Sequence, residues 1–376
     1  TLTINAVGVG LQRTLTNNGT ITWTAGQIQF VNGTFDNNVV FTIPADTDMA
    51  NFGGTNAFNN SASGTVTRNT STGTASIGIA FNNAGTVNAS SGTLTLSNFT
   101  QTAGQTILNG GNLGGNLTIN GGILKGVGSI AGNVTNAATV SPGASAGVMT
   151  VAGNYTQTAA GTLVIEMNGT TPGTQYDQLG VTGTVSLAGA LSLTLGFTPA
   201  TATPFTLVTN ADTDAVVGHF AGLAEGAVLV TPNVNFRVTY QGGTGNDVVL
   251  TPLFQALYHT VQPCRVADTR SGPQGGALAA GATRTFAVAG LCGIPASAQA
   301  VGFNFTVVAS PIFPGDLRIY PGGAALPTVS TLNYRGGQVR ANNAIILLGP
   351  NGDIDVKVDQ AAQFVHLIID VNGYFE

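Results

Sequence analysis

FNNAGTVNASSGTLTL, Phe81 to Leu96, holds no charge, no proline and a single aromatic ring. Single aliphatic residues alternate with small polar ones, the period-two pattern of half-buried strands, and Asn and Gly punctuate the runs. The same pattern extends on both sides. Asn pairs recur at Asn17-Asn18, Asn37-Asn38, Asn59-Asn60 and Asn82-Asn83, at intervals of 20, 22 and 23 residues. LTNNGTIT from Leu15, FNNSASGTVT from Phe58 and FNNAGTVN from Phe81 are variants of one phrase, and VTNAATVS from Val134 is a relative. NFTQTAGQTIL from Asn98 returns as NYTQTAAGTLV from Asn154, displaced by 56 residues, about three periods.

Short strands repeating near 20 residues are what a parallel β-helix needs, because each coil pairs with the coils above and below. Inward side chains would stack into columns, here Phe81, Val87, Leu94 and Leu96. The Asn pairs would mark corners, since Asn tolerates left-handed backbone. Eight to ten coils fit before residue 195, a rod on the order of 40 to 50 Å at ~4.8 Å per strand.

The rest of the composition agrees. Gly supplies 53 of 376 residues, and charged residues only 7% against a usual ~25%. From Asn69 to Ile165 the only charged side chain is Lys125. Stacking would place equivalent positions about 5 Å apart, where a charge in every coil repels its neighbour. The net charge of −5 argues against nucleic acid and anionic membranes as partners. No apolar run reaches the ~18 residues of a membrane span. Asn-x-Ser/Thr triplets such as Asn88 and Asn154 arise readily in so Asn- and Thr-rich a chain. The start at Thr1 reads as a processed or trimmed product.

SPGASAGVMTVAGNYTQTAAGTLVIEMNG followed by QYDQLGVTGTVSLAGALSLTL resembles the rungs that close autotransporter passenger regions. FTLVTNADTDAVVGHFAGLAEGA and FRVTYQGGTGNDVVLTP resemble the terminal module of the same bacterial surface proteins. The resemblance covers about Leu96 to Pro252. It implies an exported right-handed β-helix, usually without enzymatic activity.

The composition changes near Phe254 to Tyr258. About seven strand candidates follow, which suggests an antiparallel sandwich. This portion resembles a module of secreted bacterial proteins that opens with P-x-R-x-x-D-T-R (Pro263, Arg265, Asp268, Thr269, Arg270) and closes with D-V-x-G-Y-F (Asp370 to Phe375). The expected organisation is all-β. A β-helix spans 1–195, a terminal module capping it 196–253, and a sandwich 258–376.

Cys264 and Cys292 are the only cysteines and lie outside any metal-ligand spacing. A disulfide suits export, with two buried free thiols as the alternative. Arg265, Asp268 and Arg270 read as a structural ion-pair network, against a carboxylate-binding point. Gly143-Ala144-Ser145-Ala146-Gly147 has the G-x-S-x-G form, but a strand rather than a helix follows it, so a coil corner is the reading. Gly242 to Asp247 fits one copy of a calcium-binding nonapeptide, making Asp247 half a site at most. Asp46 and Asp48 are the nearest approach to paired carboxylates and read as a solvated turn. His219, His259 and His366 are scattered and read as structural.

The sequence therefore predicts no catalytic residue, no cofactor and no metal. It predicts a non-enzymatic extracellular or cell-surface scaffold for adhesion, coating or filament assembly. Head-to-tail self-association through solenoid end strands and a cell-surface or glycan partner are the partner expectations. The alternative is a carbohydrate-binding or polysaccharide-cleaving β-helix.

Overall fold

In the computed structural model, the described residues are 1–5, 8–143, 145–200, 203–232, 234–253, 256–309 and 312–376. They are strands, turns and irregular chain, with no helix among them. The chain divides into two compact units, Thr1–Phe254 and Gln255–Glu376.

The first unit is a parallel β-solenoid with three faces. One face is a sheet of ten strands, all parallel, from Thr14–Asn17 to Val217–Gly218. A second face runs from Leu2–Ile4 to Ala190–Leu195 and a third from Val9–Leu11 to Phe205–Asn210. Strand Ile123–Ile130 runs through both of these, so they count as one continuous sheet. Phe205–Asn210 then pairs antiparallel with Asp247–Leu253, which pairs antiparallel with Asn235–Gly242. Phe205, Phe236, Val238 and Leu250 join the same apolar core as the coils. The terminal segment and the solenoid are thus one folded body.

Alternation decides which side chains enter the rod. Phe81, Val87, Leu94 and Leu96 are all fully buried, as the opening stretch implies. Phe35, Phe58, Phe81 and Phe99 occupy one register position in successive coils. The Phe35 and Phe58 rings stack at 4.8 Å, Phe58 and Phe81 at 4.7 Å, and Phe81 and Phe99 at 5.6 Å. Outward positions repeat as polar ladders, with Thr22, Thr42, Thr67 and Asn88 in register.

The Asn pairs do different work from the corners expected of them. Asn17, Asn37, Asn60 and Asn83 are buried at strand ends, in register with one another. Asn17 donates to Asn37 Oδ1 (2.7 Å), Asn37 to Asn60 Oδ1 (2.8 Å), Asn60 to Asn83 Oδ1 (2.8 Å), and Asn83 to Gln101 Oε1 (3.0 Å). These amides form an internal ladder, which satisfies polar groups that would otherwise be costly in an apolar core. The other member of each pair faces outward. There Asn38 donates to Asn18, Asn59 to Asp36, and Asn82 to Asn59. Left-handed corners fall instead at Asn32 (φ 55°) and Asn98 (φ 47°). Coils also meet closely at glycine: at Gly104 (φ +66°) a Cβ would lie 2.0 Å from the Gly85 carbonyl oxygen.

The second unit is built from two antiparallel sheets. One has the order Tyr258–Asp268, Phe364–Phe375, Ala300–Val308, Val339–Leu347, with Leu278–Ala279 also on Phe364–Phe375. The other has the order Thr283–Ala287, Asp353–Gln360, Gly315–Pro321, Leu332–Tyr334. Phe286, Phe303, Phe305, Ile319, Val356 and Ile369 belong to their shared core, a sandwich arrangement.

Candidate functional site

Between Asn69 and Asp177 the charged side chains of the solenoid are Lys125, Glu166 and Asp177, and all three line one cleft. Strand Ile123–Ile130 contributes Lys125, and its partner strand Thr139–Pro142 places Ser141 beside it. Strand Thr162–Met167 contributes Val164 and Glu166, and Ala190–Leu195 sets Thr194 against Glu166. These residues, with Ser145 and Asp177, line an open cleft of about 270 Å³.

Glu166 and Asp177 are brought together by the connection between two strands of the same coil. After Met167 the chain turns out and returns, with Asn168 N–H donating to the Gln175 carbonyl (2.7 Å) and Asp177 N–H to the Glu166 carbonyl (2.9 Å). Gln175 Oε1 accepts the N–H groups of Thr170 and Thr171, both at 3.1 Å, which stiffens the turn. Asp177 lies 2% exposed at its base. Its Oδ1 accepts the Gly147 N–H and its Oδ2 the Glu166 N–H, both at 2.9 Å. Burial is the largest influence on this carboxyl and pushes it up to about 6, with the nearby Glu166 charge adding to the shift. The two N–H bonds pull the other way. Glu166 is half-buried, and its Oε1 accepts the Asn168 side-chain amide at 2.7 Å. A buried carboxyl that holds its proton up to about pH 6 thus adjoins the more exposed Glu166 side chain.

Gly143 explains part of the G-x-S-x-G match. With φ +87°, a Cβ there would lie 2.4 Å from Asp177 Oδ1. Ala144 lies outside the described residues. The strand Val148–Val151 follows, so the strand-to-helix context of a nucleophile elbow is absent.

The other sequence candidates have structural partners. Asp46 is tied to Ser71 and to Arg68, while Asp48 accepts the Gln27 side-chain amide at 2.7 Å, so the two carboxylates serve different contacts. Arg68 is fully buried, and also donates to the carbonyls of Ile43 and Gly73, each at 3.2 Å. The Ser71 hydroxyl, followed by Arg68, holds the Asp46 carboxyl below the usual range against the opposing effect of burial. Asp247 Oδ1 accepts the Asn210 N–H at 2.8 Å. Among the described residues no three His, Cys, Asp or Glu side chains converge as metal ligands. His219 packs edge-on against Tyr240, His259 stacks on Tyr374, and His366 Nδ1 meets the Thr269 carbonyl at 2.9 Å.

In the sandwich, Cys264 and Cys292 are joined as a disulfide, Cα atoms 5.6 Å apart. Arg270 Nη2 meets Asp268 Oδ2 at 2.8 Å and Arg265 Nη1 meets it at 3.3 Å. Hydrogen bonding from Arg270 is the largest influence holding the Asp268 carboxyl well below the usual range. Arg265 Nε also meets Asp370 Oδ1 at 2.8 Å, a partner the sequence reading did not include. Strands Tyr258–Asp268 and Phe364–Phe375 are thereby tied by side chains as well, since Arg265 and Asp370 are also cross-strand neighbours.

No known protein family matches the chain, and no curated protein does. Among solved structures the chain is similar to the enzymatically active domain of tailspike protein 4 from bacteriophage CBA120, at 10% identity and a TM-score of 0.16. The alignment covers 98% of this chain and 64% of the tailspike chain, so it spans less than two thirds of that structure. The expectation of a non-enzymatic chain is corrected to the extent that it is carried no further: the similar structure is described as an enzymatically active domain, which is a property of that protein. So low a score transfers neither substrate nor mechanism.

Proposed function

We propose that the chain is a carbohydrate-binding, polysaccharide-cleaving β-solenoid protein that works outside the cytosol. The observation that carries this reading is the carboxyl pair of Glu166 and Asp177 in an open cleft on the solenoid. Glycosidic-bond cleavage uses two carboxyl groups of opposite protonation, one giving a proton to the leaving oxygen and the other acting as base or nucleophile. Asp177, pushed up to about 6 by burial, suits the proton-donating role. Glu166, with more solvent access, is the second carboxyl group of the pair. Lys125, Ser141 and Thr194 add hydrogen-bonding groups for sugar hydroxyls along the same cleft. The disulfide supports an oxidising compartment.

The test is release of reducing ends from a panel of neutral and acidic polysaccharides, comparing the native chain with Glu166→Gln and Asp177→Asn. Loss of release in Glu166→Gln with an unchanged fold is expected. No release from any polysaccharide, or release equal in both variants and the native chain, overturns the assignment.

A further inference from the structure

The sandwich carries an aromatic-lined groove on residues unrelated to the solenoid cleft. Gly302 and Gly373 face each other across neighbouring strands, in register. A Cβ at Gly373 would lie 2.3 Å from Tyr258 Cζ and Oη, and one at Gly302 would lie 3.2 Å from Tyr258 Oη. The phenol ring therefore lies down across a bed of two glycines, which no other residue pair would leave open. Covering glycines with a cross-strand ring stabilises a sheet in its own right. It also leaves the other side of the ring outward, and Tyr258 is 45% exposed.

The surroundings of that ring select a ligand class. Phe375 packs beside it with ring centres 4.9 Å apart. Asn372 accepts the Tyr258 hydroxyl through Oδ1 at 3.1 Å, which leaves its Nδ2 group to donate outward. Asn343 stands on the adjoining edge strand, its exposed side chain without a hydrogen-bond partner among the described residues. Ile345, 64% exposed, closes one side. Together these residues line an open groove of about 540 Å³ that contains no charged side chain. Flat aromatic surface takes the C–H face of a sugar ring, and neutral amides bridge neighbouring hydroxyls without the desolvation cost of a charge.

We infer that the groove over Tyr258 binds a neutral oligosaccharide, stacked on the Tyr258 ring and hydrogen-bonded by Asn343 and Asn372. The ligand class is that of the solenoid reading, but the residues are different, so each can fail alone. The experiment is titration of the full chain with a panel of neutral oligosaccharides, followed by calorimetry and by ligand-observed NMR. Tyr258→Ala and Asn343→Ala, each made in the Glu166→Gln background so that cleavage does not consume the ligand, should each weaken binding at least tenfold. Asn343→Ala removes no internal hydrogen bond, so it decides the matter even where Tyr258→Ala disturbs the sheet. Failure to bind any neutral oligosaccharide, or binding that Glu166→Gln abolishes or Asn343→Ala does not touch, overturns the inference. Activity at the solenoid cleft without any such binding leaves the cleavage reading standing and removes this one.

Discussion

Asn59 and Asn60 are adjacent, chemically identical and on one strand, yet their replacement by alanine should have very different costs. Asn60 is 2% exposed inside the rod, and its amide donates to Asn83 Oδ1 at 2.8 Å and to the Gly64 and Thr86 carbonyls, both at 3.2 Å. Its Oδ1 accepts from Asn37 at 2.8 Å. Asn60→Ala removes both ladder bonds and leaves a small void. The neighbours are only partly stranded, because Asn37 retains the Thr65 carbonyl at 3.2 Å and Asn83 retains the Gly85 N–H at 3.1 Å. At about 1 kcal/mol for each net hydrogen bond lost, plus an incomplete desolvation penalty, the expected cost is about 3 kcal/mol. Asn59 bonds to Asp36 and Asn82 at 2.8 and 2.9 Å on the solvent side, where water replaces what is lost. Asn59→Ala should cost about 0.5 kcal/mol. Urea unfolding followed at the solenoid's single Trp23 reads both, provided the two variants keep the native m value. Equal costs, or a cost near zero for Asn60→Ala, would refute the view that the inner amides hold the coils together.

Phe58→Ala, which breaks the ring stack in its middle, should cost about 3 to 5 kcal/mol and is checked by the same unfolding curve. Reduction of the disulfide releases a loop of 28 residues, which should lower stability by about 3.6 kcal/mol in the chain-entropy account. Thermal scans should show that loss in the Gln255–Glu376 unit and not in the solenoid. For Asp177 burial pushes the folded value up to about 6, above that of an ordinary carboxyl. The unfolded chain thus ionises first, and this group lowers stability as pH rises from about 4 to 6. Asp177→Asn should flatten that part of the stability profile, and an unchanged profile counts against the burial of Asp177. Asp46 acts in the opposite sense: its lowered folded value stabilises above the unfolded carboxylate range of ~3.9 and is lost as pH falls through the folded value. Ser71→Ala, which removes the largest cause, should weaken that acid dependence.

The coil repeat was legible in the sequence because stacking imposes one demand many times. Alternation placed Phe81, Val87, Leu94 and Leu96 correctly, since a period-two pattern has only one apolar face. The Asn pairs were harder. The inner member comes first in Asn17-Asn18 and Asn37-Asn38 but second in Asn59-Asn60 and Asn82-Asn83, and doublets alone do not say which member turns inward. Nothing in the sequence marks Arg68 as buried, yet Asp46 and the carbonyls of Ile43 and Gly73 meet it inside the rod. The carboxyl pair was invisible because Glu166 and Asp177 are isolated acids, joined only when the chain after Met167 turns back on itself. The one available signal was that both appear just where the uncharged stretch ends. In the sandwich, the sequence reading grouped Arg265 with Asp268 and Arg270, while Asp370 is far away in sequence and meets Arg265 only through strand pairing.

The inner amide ladder makes the upper and lower surfaces of a coil interchangeable. Asn37, Asn60 and Asn83 are spaced by 23 residues in each interval, and the aromatic ring at each step meets its like. A second copy of residues 61–83 spliced in after Asn83 would present to its neighbours the same donors, acceptors and rings they already meet. The rod is thus extensible by tandem duplication at this level, gaining one strand spacing of about 4.8 Å per event with no compensating change elsewhere. Such an insertion would leave the residues of the Glu166 cleft and of the Gln255–Glu376 unit unchanged.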